Sequence, residues 1–199
     1  HKKNVTKKKF ESRKDIVFIG TMFHPPNKIA MIYFIKNIFP KILNYNSKIN
    51  LKIVGSGFSK ETFAIGTGFS SEIIKLLEFQ NVHVVGYVKD VYNVLNECRV
   101  AIAPLNFGKG INGKVCNYLS HGIPSVINEV AAECMRLKHL NDCLTAKNED
   151  QFVKHILRLY NSKSLWNKIR KNGLIAFDKH FSKDIFLSQL DKIFLKNFI

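Results

Sequence analysis

The sequence predicts an α/β fold: a Rossmann-like, doubly wound parallel sheet with a helical C-terminal tail. Three observations predict it. Short apolar runs rich in Val and Ile are continuous and not alternating, as strands covered on both faces are. Most of these runs close on Gly or Pro. Segments with apolar residues at helical spacing fill the gaps between them, which implies right-handed crossovers between parallel strands.

The runs at 15–20 (DIVFIG), 50–55 (NLKIVG), 81–87 (NVHVVGY), 99–105 (RVAIAPL) and 124–129 (PSVINE) are the expected strands. Residues 28–44 place Ile29, Ile32, Tyr33, Ile35, Ile38 and Phe39 on one helical face. Residues 71–79 read as a second helix, with Ser70 or Ser71 as N-cap and Glu72 in its first turn. Residues 90–97 and 112–121 supply the next two helices. Beyond residue 140, Asn148 caps a helix with the stripe Phe152, Val153, Ile156, Leu157 and Tyr160, and two more helices follow at 164–178 and 183–196.

The chain has 199 residues, is 46% hydrophobic and contains 16 Phe, enough for one packed domain. No run approaches the roughly 18 apolar residues that a membrane span needs. No signal peptide is visible, and the sequence opens at His1 without a Met. The four cysteines (Cys98, Cys116, Cys134, Cys143) form no C-x-x-C pair, so reduced, buried thiols and a cytoplasmic setting are expected. The histidines show no metal-binding spacing, and no metal or resident cofactor is expected. The formal net charge is +16, and seven of the first fourteen residues are Lys or Arg against one acid, Glu11. Residues 1–14 are expected to be a basic, flexible linker outside a domain that spans 15–199. Such a run suits peripheral contact with an anionic membrane. Nucleic acid is not expected, because the apolar residues sit at core periodicity and no exposed aromatics interleave the basic ones.

In open parallel sheets the ligand lies beyond the carboxyl ends of the strands, where the strand order reverses. Loops at four strand ends carry candidate residues: Gly20 to Asn27, Gly55-Ser56-Gly57, Gly86-Tyr87-Val88, and Gly108 to Lys114. The second lacks the third glycine of a dinucleotide fingerprint, Lys60 standing in its place, and its missing side chains suggest close approach of a ligand to the backbone. The fourth runs straight into a helix, so free N–H groups, the positive end of the helix dipole and the Lys114 ammonium converge on one point, as a phosphate site requires. It is not a Walker loop, because Val115 stands where Ser or Thr is needed. The plainer alternative is a tight strand-to-helix turn with solvated lysines.

Taken in order, these motifs resemble the C-terminal, donor-binding domain of a group 1 (family 4-like) retaining glycosyltransferase of the glycosyltransferase-B fold. The carriers are Phe18-Ile19-Gly20 with Pro25-Pro26-Asn27, Ile53 to Gly57, Gly86 to Val88, Ala103 to Val115, Gly122 to Val126, and His180-Phe181-Ser182. The resemblance implies that a nucleotide-sugar is bound as substrate. Its base would lie against the backbone at Tyr87 and Val88. Its diphosphate would meet Gly110, Ile111, Asn112, Gly113 and Lys114, with Gly20, Thr21, Asn27, Lys28 and Gly55 along the facing wall. The acceptor would sit in an N-terminal domain outside this chain. Two positions depart from the family pattern: Asn117 and Lys109 stand where glutamates are usual, with Glu129 and Glu133 the nearest acids. The expected function is donor binding in a glycosyltransferase. The alternative is a degenerate member that binds a nucleotide-sugar or a partner without turnover. No catalytic residue is assigned.

Overall fold

The computed structural model describes residues 3–57, 80–104 and 110–197. The expected helix at 71–79, Lys60 and Lys109 therefore lie outside the described residues. The strands are β1 (Asp15–Ile19), β2 (Leu51–Val54), β3 (Val82–Gly86), β4 (Cys98–Ala103), β5 (Ser125–Asn128) and β6 (Leu144–Ala146). They form one sheet in the order β3-β2-β1-β4-β5-β6, and every pairing is parallel. The Rossmann-like class is as expected. β6 is an addition, a three-residue edge strand too short to register as an apolar run.

The helices are α1 (Pro25–Tyr33), α2 (Phe39–Tyr45), α3 (Tyr92–Glu97), α4 (Gly113–His121), α5 (Glu129–Cys134), α6 (Glu149–Asn161), α7 (Lys163–His180) and α8 (Lys183–Asn197). The single helix expected over 28–44 is instead α1 and α2, joined by a π-helical turn at Phe34–Ile38. Pro40 lies in the first turn of α2 and has no N–H to donate to the Lys36 carbonyl, so the backbone widens there. Asn148 caps α6 as expected, its side chain accepting from the Gln151 N–H at 3.0 Å.

The sheet separates two apolar layers. On one face Ile16, Phe18, Ile53, Val100 and Val126 pack with Met31, Phe34, Ile42, Phe152 and Ile156 from α1, the π turn, α2 and α6. On the other, Val17, Ala101, Ala103 and Ile127 pack with Leu95, Val115, Leu119, Ala132 and Phe177 from α3, α4, α5 and α7. Alternate residues of β1 thus feed opposite layers, as the period of two requires. Among the described residues no helix is long and apolar enough to cross a membrane. Cys98, Cys116 and Cys143 are buried free thiols, but Cys134, in the last turn of α5, is exposed, which corrects the expectation for that residue.

The expectation of a flexible linker at 1–14 is also corrected for residues 3–14. Asn4 and Thr6 donate backbone N–H bonds to the carbonyls of Ser120 and His121, each at 3.1 Å. Arg13 is fully buried and donates to the carbonyls of Leu95 (2.9 Å), Cys98 (3.1 Å) and Lys8 (2.8 Å), and to the Thr6 hydroxyl at 2.7 Å. Arg170 bonds Thr6 from the other side, and both guanidiniums lie 5.2 Å from the Trp166 ring centroid. Lys7, Lys9 and Lys14 are exposed, whereas Lys3 and Lys8 are ion-paired to Asp178 and Glu97. The fixed points are Thr6 and Arg13, bonded to backbone carbonyls far along the chain, and Phe10, whose ring meets Trp166 edge-on with centroids 5.8 Å apart.

Candidate functional site

The strand order reverses between β1 and β4. Their pairing ends at Val17 opposite Ala101. Beyond that point the Tyr118 hydroxyl bridges the diverging strands, accepting from the Ile19 N–H at 3.0 Å and donating to the Ile102 carbonyl at 3.1 Å. Tyr118 is fully buried on α4, and burial pushes its phenol well above the usual range. It therefore remains a neutral donor at this split. Sequence reasoning did not single it out. Its only signal was its spacing, one turn after Lys114 on the inward face of the same helix.

The loop after β1 and the start of α4 meet at this point. Gly20 follows β1 and donates its N–H to the Val54 carbonyl at 2.8 Å. The Thr21 hydroxyl lies 3.0 Å from that of Ser56, which ties the β1 loop to the β2 loop. Asn27, in the first turn of α1, is only 6% exposed. Its amide nitrogen donates to the Thr21 carbonyl at 2.9 Å, and its amide oxygen accepts from the Lys114 ammonium at 3.0 Å. The expected facing wall and the expected cation are thus in direct contact.

Lys114 enters from the start of α4. Asn112 is the N-cap with extended backbone, and its side chain makes no capping bond, so the first N–H groups of α4 are not consumed by a cap. Gly110 has φ of +116°, a conformation that glycine adopts freely, and an added Cβ there would meet nothing within 4 Å. Gly110, Ile111 and Gly113 are exposed, Ile111 to 71%. Burial pushes the Lys114 ammonium down to about 8, and its ammonium lies 5.3 Å from the Phe18 ring centroid. Among the described residues no carboxylate pairs with it. This is a positive group poised at a helix N-terminus with only a neutral partner, an arrangement that stabilises an incoming anion.

The other expected residues divide. Tyr87 is 76% exposed just beyond β3, while Val88 is half-buried against the second apolar layer and anchors that loop. Asn117, one turn after Lys114, lines a separate cleft of about 480 Å³ with Lys3, Asn4, Lys89, Asp90, Val91 and His121. Glu129 is ion-paired to Lys147 at 3.2 Å. The space that the missing side chain of Gly55 leaves is taken by Gly20, whose carbonyl oxygen would lie 2.1 Å from a Cβ at Gly55.

A six-stranded parallel sheet flanked by helices, with Lys114 and Asn27 in contact where its strand order reverses, defines a Rossmann-like α/β domain. Residues 13–162 match the family described as Glycosyl transferases group 1, and the chain belongs to that family. A protein of Klebsiella pneumoniae described as an uncharacterized 44.6 kDa protein in the cps region is 21% identical over 180 residues, a stretch that covers 87% of this chain and 44% of that protein. The crystal structure of TarM is similar in fold, with a TM-score of 0.77 and 16% identity over 98% of this chain and 37% of that one. HepE of Anabaena in complex with UDP-glucose gives a TM-score of 0.74 and 12% identity over 94% of this chain and 50% of that one. A C-terminal domain of a glycosyl transferase group 1 family protein from Francisella tularensis gives 0.66 and 10%, over 85% of this chain and 87% of that one. The chain spans less than half the length of the curated relative it matches and between 37% and 50% of the TarM and HepE chains.

Proposed function

We propose that this chain binds the nucleoside diphosphate part of a nucleotide-sugar and serves as the donor-binding domain of a glycosyltransferase whose acceptor-binding part lies in another domain. The observation that carries this reading is the Lys114 ammonium. It stands at the start of α4, at the reversal of strand order, with an amide oxygen and a ring face as its partners among the described residues. Family membership and the likeness to HepE, whose structures hold UDP and UDP-glucose, support it and suggest UDP as the first probe. A diphosphate would accept from the first N–H groups of α4, which no side-chain cap engages, and from Lys114. Tyr87 and Val88 would border the base.

Calorimetric titration with UDP at one fixed salt concentration tests the reading. Lys114→Ala removes a charge-assisted bond worth roughly 1.5–3 kcal/mol, so affinity falls by about ten- to a hundredfold. Unchanged UDP affinity in that variant, or no UDP binding by the parent chain, rules the reading out.

A second reading, donor binding without turnover, is favoured by one observation. Asn117 offers a neutral amide where the resemblance implies a glutamate that grips the ribose hydroxyls. Transfer of sugar from a nucleotide-sugar by the longer protein, if measured, excludes it.

A further inference from the structure

Asn27 was expected to line the ligand wall, but its geometry assigns it a different task. Its side chain is nearly enclosed, and both of its polar atoms are engaged, the nitrogen with the Thr21 carbonyl and the oxygen with the Lys114 ammonium. The Thr21 bond fixes which way the amide faces, because only the oxygen can then accept from a lysine, which has donors alone. Gly20 makes the room. A Cβ at Gly20 would lie 2.8 Å from the Asn27 amide nitrogen and 3.0 Å from its amide carbon, closer than side chains pack. The partner is also neutral. An amide directs the ammonium without cancelling its charge, whereas a carboxylate at the same place would compete with any incoming anion.

We propose that Asn27 is a positioning residue that holds the Lys114 ammonium towards the diphosphate, that Gly20 lacks a side chain in order to admit Asn27, and that Asn27 does not itself touch the ligand. This rests on the reading of the crevice as a diphosphate site. Asn27 acts only through Lys114, so removing it matters only while Lys114 is present. Among the described residues, the groups that face the ammonium are the Asn27 oxygen and the Phe18 ring, and burial is the cause of its lowered proton affinity.

The test is UDP titration of the 199-residue chain and of Asn27→Ala, Lys114→Ala and the double variant. Asn27→Ala should weaken binding about tenfold, and the double variant should bind no worse than Lys114→Ala alone. If the two losses multiply, Asn27 is an independent ligand contact and the inference falls while the diphosphate reading stands. Wild-type affinity in Asn27→Ala also overturns the inference alone. Unchanged affinity in Lys114→Ala overturns both. Gly20→Ala should reproduce the Asn27→Ala loss and add nothing to it.

Asn27→Asp guards against a variant that fails to fold, because it nearly preserves shape. It should bind UDP more weakly at neutral pH. It should also move the alkaline loss of affinity, which follows the Lys114 proton near pH 8 in the parent, to higher pH, since an adjacent carboxylate retains that proton. A residue with only a structural role would leave that midpoint where it is, and an unmoved midpoint overturns the inference.

Discussion

Gly55 and Gly20 are in backbone contact: a Cβ on Gly55 would come within 2.1 Å of the Gly20 carbonyl oxygen and 3.2 Å of the Thr21 nitrogen. Gly55 also has φ of +146°, which side chains rarely tolerate, and its N–H donates to the Gly86 carbonyl at 2.8 Å. It therefore sets the distance between the ends of β1, β2 and β3. Gly55→Ala is expected to destabilise the domain by about 2 kcal/mol or more, since strain and collision both act on backbone that cannot swing aside. Thermal unfolding of the variant checks this, and a melting point within about 1 °C of the parent would contradict it.

The N-terminal segment offers a second test. The Thr6 hydroxyl is shared by Arg13 at 2.7 Å and Arg170 at 3.2 Å. Thr6→Val keeps the shape and leaves buried guanidinium donors short of an acceptor, which costs about 1–3 kcal/mol. In a domain of this size each kcal/mol lowers the melting temperature by about 2–4 °C. Removal of residues 1–13 deletes the whole network and should lower it further. A truncated chain that melts with the parent would show that these bonds contribute nothing.

Lys114 should trade stability for binding. Its ordinary value of 10.5 is lowered to about 8 by burial, so between those values the unfolded chain holds the proton more tightly. Stability then rises with pH across that window, and below pH 8 the full cost of the buried ammonium is present. Lys114→Met is expected to raise the melting temperature at pH 7 by about 2–4 °C, taking about 1 kcal/mol after discount for partial exposure. The gain should shrink as pH rises from 8 towards 10, while UDP affinity is lost throughout. A pH-independent gain would point to packing alone.

His155 predicts the acid limit. It is buried on α6, 5.2 Å from the His139 ring centroid, and its Nδ1 has no hydrogen-bond partner. Burial first, then the neighbours His139, Arg158 and Lys154, push it down from 6.5 to about 4. The unfolded chain therefore binds the extra proton between these values, and stability falls as pH drops through that window. His155→Phe should flatten the melting-temperature profile between about pH 6.5 and 4. An unchanged slope would place the acid sensitivity in other groups.

What could be read in advance was local. The strands β1 to β5, the cap at Asn148 and the loop-to-helix junction at Lys114 each declare themselves within ten residues, through apolar continuity or through glycine beside a helix start. Gly55 was half legible. Its sequence context says that no side chain fits, but not whether a ligand or another strand end fills the space. The N-terminal segment was misread because its lysines dominate its composition, whereas its anchoring depends on Arg13 reaching carbonyls at 95 and 98. β6 and the Tyr118 bridge depend on where distant strands come to lie, which no window of sequence contains.

The Lys114–Asn27 bond joins the two apolar layers at the crevice, as α7 does elsewhere by giving Ile169 to one layer and Phe177 to the other. α1 belongs to the layer on one face and α4 to the layer on the other, and their side chains meet over the sheet's upper edge at 3.0 Å. The crevice is therefore a seam between the two layers. A cavity opened in either one, at Phe34 or at Leu119, would let its helix slide by a few tenths of an ångström, and the error would accumulate at the seam. Such variants should misalign the crevice before they unfold the chain, so ligand affinity becomes a gauge of how the two layers register.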